Sequence, residues 1–334
     1  MAKPAKGTAR VKVSIRDVAR RAGVSIASVS RAVNDGGSVS DDTRRRVMAA
    51  VEELNYSPNH IGRALRAQTT NTFALILSNI QNNFFAAVAW ELERLLSARG
   101  QAMLLYTSNE NPRIQDRCLD DIQARQVSGV FLLCAVESGR LEAFSRGHDT
   151  VLINRRVRTL PDLPFVGIDD RAASRELVEI ALRRRQGPIG IIHGPLSSDT
   201  SARRLEGMLA ACAEAGLDPA PELVREAELS MESGYEAASA LLSHQGLAAL
   251  FCGNDQISYG AYRRCRELGI KVPEELPIFG FDDNPLNEWL APWLNTVRVP
   301  HLAYAKSALG TMDGLKRDQG AGETILPYEI VLRS

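Results

Sequence analysis

Two kinds of hydrophobic spacing divide this chain. Up to about residue 54, apolar residues recur at helical spacing: Val47, Val51 and Leu54 fall on one face at i, i+4 and i+7. Beyond residue 72, short continuous apolar runs alternate with amphipathic stretches, which is typical of buried parallel strands joined by helices. The pattern therefore predicts a small all-α segment followed by a larger α/β region.

The all-α segment is predicted to contain three short helices, each preceded by a serine that can cap it. These serines are Ser14, Ser25 and Ser40. We expect the first helix to run to about Arg21 and the second through Asn34.

Gly23 separates the first two predicted helices. Glycine adopts a left-handed backbone conformation at little cost, which a tight turn between two helices requires. Two short helices joined in this way form a helix-turn-helix, whose second helix fits the major groove of DNA. A plain helical subdomain has the same spacing, so the pattern alone leaves both interpretations open.

The apolar runs of the larger region form two series. The first comprises residues 73–78, 102–107, 129–135 and 150–155, and the second comprises residues 189–194, 249–253 and 276–282. Helical stretches lie between them, for example from Phe84 to Arg99. Two such series predict an α/β fold of two Rossmann-like lobes, each built on a parallel sheet. No GxGxxG or GxxxxGKS/T motif occurs, so no cofactor is expected.

The net charge of zero conceals an asymmetry along the chain. Residues 1–70 hold 13 Lys and Arg against 6 Asp and Glu, whereas residues 71–334 hold 27 against 34. A basic segment on an acidic body suggests that the segment meets a polyanion and the body does not.

The composition fits a cytoplasmic globular protein. Hydrophobic residues make up 45% of the chain, but no run approaches the roughly 18 apolar residues of a membrane helix. The basic N-terminus is not followed by the apolar stretch of a secretory signal. Five scattered cysteines without CxxC spacing indicate reduced thiols. We therefore expect no membrane partner.

Catalytic and metal-binding patterns are not found in the sequence. The five histidines are isolated, and neither HExxH nor GxSxG occurs. The carboxylate pairs at 120–121, 169–170 and 282–283 are adjacent in sequence, which suits helix caps and turns better than acid/base chemistry. We therefore expect a protein that is not an enzyme and holds no metal.

The segment SIRDVARRAGVSIASVSRAVND, followed by VSDDTRRRVMAAVEELNYSPN, closely resembles the DNA-binding headpiece of the LacI/GalR family of transcriptional regulators. The resemblance implies that residues Ser25 to Arg31 form the first part of a recognition helix. Ile26 and Ala27 then occupy the main base-reading positions, and Arg31 contacts a base or a phosphate. Ser28 and Ser30 would contact phosphates. The other DNA contacts that the resemblance implies are Ser14, Asn34, Tyr56 and Asn59.

The next segment, YSPNHIGRALRAQTTNT, resembles the family's hinge, which forms a short helix in the minor groove of operator DNA. A helix of about two turns is unstable alone in water, so it is expected to form against a partner. Leu65 matches the leucine that wedges between base pairs, and Arg63 and Arg66 would supply positive charge. Gly62 replaces the usual alanine and should weaken this helix by about 0.5–1 kcal/mol. A disordered linker is the alternative.

The rest of the chain resembles the core of the same family, which is similar to type I periplasmic sugar-binding proteins. The matching segments are NNFFAAV, VSGVFLL, VLINRR, VGIDD, GPLSSDTSARRLEGM, ESGYEAA, FCGNDQISYGAY, RELGIKVPEELPIFGFDD and LNTVRVP. The implied organisation is a basic tail at 1–13, a headpiece at 14–57, a hinge at 58–70 and a core at 71–334, with an N-lobe of 71–168 and 299–326 and a C-lobe of 169–298 and 327–334.

The core resemblance implies an effector site at the carboxyl ends of the strands, between the lobes. Phe84 or Phe85 would stack on a sugar ring. Asn154 and Arg155 stand where the family usually has Asp-Arg, which leaves open a changed hydroxyl pattern or a more negatively charged effector.

The other residues implied at this site are Arg204, Asn254 and Asp282. Arg204 would form a forked hydrogen-bond donor to hydroxyl or carboxylate oxygens. Leu229 stands where some members of the family have an aromatic residue.

Several of these positions have structural alternatives. One of the two phenylalanines is expected in the core, and Asp255 is assigned the cap of the helix after Asn254. Arg204 could instead pair with Glu206 or Glu176 at the surface. Asp283 is expected to be a turn or cap residue.

The leading expectation is a homodimeric regulator of a near-palindromic operator, controlled by a small sugar, sugar acid or related effector. Helix 83–98 and the segment near 284–292, with Trp289 and Trp293, are the candidate dimer surfaces. The alternatives are a sugar-binding protein with a basic extension and, less favoured, a sugar-modifying α/β enzyme.

Overall fold

The computed structural model describes residues 13–33, 39–56, 70–243, 246–317 and 322–333. Contacts divide the chain into two compact units between Thr70 and Asn71, and each unit is described by itself. The predictions for Asn34, Asn59, Arg63, Leu65 and Arg66, together with the hinge helix and Gly62, lie outside the described residues.

The first unit contains three helices: α1 (Ile15–Ala22), α2 (Ile26–Val33) and α3 (Asp41–Glu53). The three predicted caps are confirmed. The N–H and Oγ of Ser14 both donate to Asp17 Oδ2, at 3.0 and 2.6 Å. The Oγ of Ser25 accepts from the N–H of Ser28 at 3.1 Å, and the Oγ of Ser40 accepts from the N–H of Thr43 at 3.3 Å.

The turn between α1 and α2 has the predicted geometry, because Gly23 has a φ of 67° and ends α1 in the left-handed conformation. Val18, Val29 and Val47 each come from a different helix of this unit and are fully buried. They form the centre of a small apolar core, and the polar faces of the helices lie outside it.

The second unit contains two six-stranded sheets. We call the region built on the first sheet the first lobe; its strands are β1 (Thr72–Leu77), β2 (Ala102–Thr107), β3 (Gly129–Leu133), β4 (Thr150–Ile153), β5 (Phe165–Gly167) and β11 (Glu323–Ile325). The second lobe is built on β6 (Ile189–His193), β7 (Val224–Glu226), β8 (Ala249–Cys252), β9 (Ile278–Asp282), β10 (Asn295–Arg298) and β12 (Glu329–Val331).

The strand orders are β11-β5-β4-β3-β1-β2 and β12-β10-β9-β8-β6-β7. All neighbours pair in parallel except β12, which is antiparallel to β10. The predicted parallel α/β architecture in two lobes is therefore confirmed. The seven predicted runs all form strands, but β3 and β4 end two residues early because Cys134 and Asn154 have positive φ angles of 67° and 69°.

The helices of the second unit are α4 (Asn83–Ser97), α5 (Pro112–Arg125), α6 (Gly139–Ser145), α7 (Asp170–Arg184), α8 (Asp199–Glu214), α9 (Met231–Leu241), α10 (Asp255–Glu267), α11 (Asn287–Leu290) and α12 (His301–Leu315). Two helix pairs pack with their backbones in contact. A Cβ on Gly207 of α8 would lie 2.2 Å from Arg171 O of α7, and one on Gly260 of α10 would lie 2.0 Å from Met231 O of α9. These glycines permit the close packing of helices within the second lobe.

The chain passes between the lobes three times. It leaves the first sheet after β5 and returns after β10 through α12, which packs on α4, β4 and β5 of the first lobe. It passes to the second sheet for the last time between β11 and β12. The carboxyl ends of the parallel strands from both sheets adjoin the cleft described next.

Candidate functional site

All seven residues predicted at the effector site line one small cavity. Phe84, Phe85, Asn154 and Arg155 come from the first lobe, and Arg204, Asn254 and Asp282 come from the second lobe. The cavity has a volume of about 20 Å³. Because a cavity of this size has room for about one water molecule, these side chains must separate before a monosaccharide can enter among them.

A larger cleft of about 930 Å³ adjoins this cavity. Asn82, Phe85, Arg155 and Leu229 line both spaces. The cleft is therefore the outer part of the same site. Leu229 supplies an aliphatic wall at the position where the resemblance implies an aromatic one in some members of the family.

Arg204, in the first half of α8, is the centre of the second-lobe part of the site. Its Nε donates to Asp170 Oδ1 at 2.8 Å, its Nη1 to Gly253 O at 2.8 Å and its Nη2 to Asp282 Oδ1 at 3.4 Å. The guanidinium carbon lies 3.5 Å from the centre of the Phe281 ring. These contacts fix the plane of the guanidinium.

Neither of the alternative partners expected from the sequence, Glu206 and Glu176, pairs with Arg204. Glu206 lies 4.0 Å from Arg171, and Glu176 accepts a hydrogen bond from Tyr328. Arg204 instead pairs with buried carboxylates inside the second lobe.

The carboxylates around Arg204 are buried, and burial makes their charged forms less favourable. Burial raises the pKa of Asp282 to about 7, although Arg204 acts in the opposite direction. Burial also raises the pKa of Asp170, again against the effect of Arg204. Asp170 was not predicted as a site residue. Of the pair at 169–170, Asp169 caps α7 through Ala172 N, and Asp170 points inward to Arg204.

The assignment of a cap to Asp255 is wrong. Asn254 caps α10 instead, with its Oδ1 accepting from the N–H of Ile257 at 3.0 Å, while its side chain also lines the cavity. Asp255 accepts hydrogen bonds from Asn284 N, Asn287 Nδ2 and Thr296 Oγ1. Burial raises the pKa of Asp255 to about 6.

Asp283 is likewise not a cap but a buried ion-pair acceptor. Its carboxylate accepts from Arg298 Nε and Arg333 Nη2, each at 2.7 Å. Adjacent polar residues at strand ends therefore point to opposite sides here, and sequence spacing does not show which of the two faces the site.

Arg155 is the main charged residue of the first-lobe part of the site. It donates to both carboxylate oxygens of Glu110, at 3.0 and 3.1 Å, and its buried Nε has no hydrogen-bond partner among the described residues. Glu110 was missed by the sequence analysis, since it lies in a loop without a motif. Asn154 donates to Cys134 Sγ and accepts from Tyr304 Oη at 3.4 Å.

The cavity contains backbone conformations that side chains rarely adopt. Cys134, Asn154 and Asp282 all line it and have φ angles of 67°, 69° and 107°. Such residues cost free energy and cluster at functional sites in proteins. They turn the polar ends of three strands toward the cavity.

Phe84 and Phe85 are both buried in the core, whereas one of the two was expected there. Phe84 packs edge-on against Phe85 and Tyr304, with ring centres 5.5 and 5.9 Å apart. Both rings also contact the cavity, and Phe85 extends to the outer cleft. Phe85 is therefore the better placed to contact a ligand.

Helix α2, which was predicted to be the recognition helix, presents a distinct outer face. Val29 and Ala32 are buried, whereas Ser25, Ile26, Ala27 and Arg31 are exposed, Ile26 by 44%. Arg31 Nε donates to Ala27 O at 3.3 Å.

The remaining described residues of the predicted DNA-binding surface differ in exposure. Ser14 is exposed, whereas Ser28, Ser30 and Tyr56 are half-buried. Tyr56 packs against the apolar core of this unit.

Apolar side chains are exposed on two parts of the second unit. Trp289 and Leu290 of α11 are 80% and 72% exposed, and Trp90 of α4 is 61% exposed. Trp293 is not part of such a surface: it is buried and stacks on Tyr262 with ring centres 3.9 Å apart.

Neither a metal centre nor a membrane span is found in the described part of the chain. Its His, Cys, Asp and Glu residues form no group of three or more that could hold a metal ion. No described helix is long and apolar enough to cross a bilayer.

Comparison with protein families gives two matches. The model for bacterial regulatory proteins of the lacI family matches residues 14–59. The model for a periplasmic binding protein-like domain matches residues 166–334.

Curated and solved proteins are similar over nearly the whole chain. The HTH-type transcriptional regulator DegA of Bacillus subtilis (strain 168) is 31% identical over 97% of this chain and 98% of its own length. The Lac repressor dimer, solved bound to operator and the anti-inducer ONPF, covers 96% of this chain and 98% of its own, with a TM-score of 0.87 at 24% identity, which shows a shared fold. The transcriptional regulator CelR, solved as a cellobiose complex, has the same coverage, a TM-score of 0.72 and 25% identity.

Proposed function

Because the chain belongs to the LacI family of bacterial regulatory proteins and is a DNA-binding transcriptional regulator, we propose that it is a homodimeric repressor of a near-palindromic operator. We further propose that a small sugar-like effector, bound between the two lobes, controls its affinity for the operator.

The outer face of α2 carries the DNA-binding part of this proposal. Ile26 is an exposed apolar side chain beside exposed Ala27, and Arg31 lies one turn further along the same helix. Apolar side chains in the major groove contact thymine methyl groups, and arginine contacts guanine or phosphate. This exposed face does not contribute to the three-helix core, because α2 packs into the core through Val29 and Ala32.

The cavity between the lobes supports a polyol effector. Sugars present CH groups to aromatic rings and hydroxyl groups to forked or paired polar side chains. Phe85 supplies a ring, and Asn154, Asn254 and Asp282 supply donors and acceptors from both lobes. The cellobiose complex of CelR supports the same chemical class. A ligand that contacts both lobes alters DNA affinity through its preference for one lobe arrangement.

The exposed apolar residues of α4 and α11 support the homodimer. Trp289 and Leu290 lie on one short helix with little of their surface covered, and Trp90 is similarly exposed on α4. Contiguous exposed apolar surface commonly marks a protein interface. A two-fold dimer presents two recognition helices, which requires an operator with matching two-fold symmetry.

The test is selection of genomic DNA fragments by the purified full-length protein at near-physiological salt, followed by sequencing. We expect one discrete near-palindromic sequence. Binding that is independent of sequence and falls steeply with salt would contradict the proposal, because phosphate contacts alone give that behaviour. The double variant Ile26→Ala/Arg31→Ala, which retains the buried face of α2, is the control for selection by this helix.

A further inference from the structure

The guanidinium groups at the effector site are already paired with carboxylates of the protein itself. Arg155 is held by both oxygens of Glu110, and Arg204 is held by Asp170 and Asp282. Both arginines are more than nine-tenths buried. A forked guanidinium binds an acid group through two parallel N–H bonds, and here the chain's own carboxylates occupy those bonds.

The other two arginines of the outer cleft also have carboxylate partners. Arg156 donates to Glu323, and Arg158 donates to Glu137 at 3.4 Å. The described residues that line the cavity and the cleft include no lysine or histidine. Every cationic side chain among them is therefore in an ion pair within the protein.

The acidic groups exceed the basic groups at this site. Around the inner cavity, Glu110, Asp170 and Asp282 face two guanidinium groups. The outer cleft adds Glu206 and Glu228 to its lining, besides the carboxylates already paired. A ligand entering this site therefore meets more acidic than basic side chains.

An acidic effector would have to displace one of these carboxylates. Displacement from Arg204 would leave a buried carboxylate without its cation, which is strongly unfavourable. A hydroxyl or ammonium group of a ligand does not have to displace a carboxylate from its arginine, because it donates a hydrogen bond to the carboxylate. Asp282 lines the cavity, and its hydrogen bond from Arg204 is a long one of 3.4 Å, so its carboxylate retains capacity to accept from a ligand.

We propose that the effector of this protein is a polyol without an acidic group, and that Asp170, Asp282 and Glu110 exclude carboxylate and phosphate ligands by occupying Arg204 and Arg155. This inference rests on the proposed effector site, and it removes sugar acids and sugar phosphates from the candidate effectors. Asp282 serves as an acceptor for a hydroxyl or amino group of the ligand.

The test uses inorganic phosphate as the probe and isothermal titration calorimetry of the full chain at constant ionic strength. The wild type should show no saturable phosphate binding that depends on Arg155 or Arg204. Asp282→Ala, and separately Glu110→Ala, should acquire phosphate binding at least about tenfold tighter than any wild-type background, because the first removes the acceptor of Arg204 Nη2 and the second removes both acceptors of Arg155.

Asp169→Asn is the matched control. It removes the same charge next to Asp170, but Asp169 caps α7 and pairs with neither arginine, and asparagine caps a helix equally well. It should leave phosphate binding unchanged. Thermal melts confirm the folded state of each variant, and the two opened variants act on different lobes, so misfolding of one leaves the other as a test.

Two results would overturn the proposal. One is wild-type phosphate binding that disappears in Arg204→Gln or Arg155→Gln. The other is absence of phosphate binding in both folded opened variants, since the carboxylates would then not be what excludes anions. Neither result depends on operator selection, so failure of the DNA-binding proposal is distinguishable from failure of this one.

Discussion

Arg155 and Glu110 form a two-pronged ion pair, with Nη1 and Nη2 donating to the two carboxylate oxygens at 3.0 and 3.1 Å. The pair joins the loop after β2 to the end of β4. Arg155 is 5% exposed, whereas Glu110 lies at the edge of the cleft with its side chain 32% exposed. The partially exposed carboxylate therefore neutralises an almost fully buried cation.

We expect Glu110→Gln to lower the free energy of unfolding by about 1–3 kcal/mol, because it leaves the buried guanidinium with a neutral partner. Urea denaturation followed by circular dichroism measures the change. Glu142→Gln is the control, since Glu142 pairs with exposed Arg146 and should cost less than about 1 kcal/mol. Equal losses in the two variants would contradict the role of burial.

The buried acids should make stability fall as the pH rises. The pKa of Asp282 is raised to about 7 and that of Asp255 to about 6, against an ordinary value of 3.8. The native protein therefore retains protons that the unfolded chain releases. Their contribution is fully present below about pH 4 and is lost as the pH rises through the native pKa values.

Asp282→Asn should therefore flatten the decline in melting temperature between about pH 4 and pH 7. Calorimetric melts across this range measure the slope. Asp169→Asn serves again as the control, because Asp169 is exposed and caps a helix. An unchanged slope in Asp282→Asn would show that Asp282 is already ionised in the native protein.

Because α9 and α10 pack closely, we expect alanine substitutions at two glycines to have opposite effects on the free energy of unfolding. Gly260→Ala should destabilise the protein by about 1–3 kcal/mol, because the new Cβ would lie 2.0 Å from Met231 O and the helices must separate. Gly310→Ala in α12 meets nothing within 4 Å and should stabilise by about 0.5–1 kcal/mol through helix propensity. Similar effects in denaturant titrations would argue against the close approach of α9 and α10 as the cause.

On DNA, Ile26 and Arg31 should differ in what they contribute. Ile26→Ala should reduce discrimination between the selected operator and a scrambled sequence by about 1–3 kcal/mol, with the salt dependence unchanged. Arg31→Gln should reduce the slope of log affinity against log salt by about 1 if it contacts a phosphate. Fluorescence anisotropy at several salt concentrations measures both quantities. A reduced salt slope in Ile26→Ala would contradict an apolar contact.

The exposed residues of α11 provide a test of the proposed dimer interface. Leu290→Asp should shift the protein toward the monomer in sedimentation velocity, because it places a charge in the proposed apolar interface. Leu268→Asp changes another exposed leucine outside the two proposed surfaces and should leave the sedimentation coefficient unchanged. A Leu290→Asp variant that sediments as the wild type does would remove α11 from the interface.

The long apolar runs were sufficient to predict most of the fold, because continuous burial leaves a readable pattern. The five strands that the apolar runs did not predict, β5, β7, β10, β11 and β12, have three or four residues each. Pairing with a neighbour rather than hydrophobic length determines such short strands. Their positions therefore depend on tertiary contacts that periodicity cannot report.

The sequence predicted which residues line the candidate site but not which carboxylates pair with its two arginines. The seven residues that the family resemblance implied do line one cavity. Glu110 and Asp170, which pair with the two arginines, were missed because one lies in a loop without a motif and the other beside a cap residue. Which of two adjacent carboxylates faces inward depends on a backbone rotation that residue type does not specify.

The last strands also have a consequence for how this chain folds during synthesis. Residues 323–325 complete the edge of the first sheet beside β5, and residues 329–331 complete the second sheet beside β10. The first lobe thus lacks one of its strands until residues 323–325 have been synthesised, after β6 to β10 of the second lobe. Neither lobe can reach its final form as an independent cotranslational unit, and deletion of residues 323–331 would remove an edge strand from both sheets together.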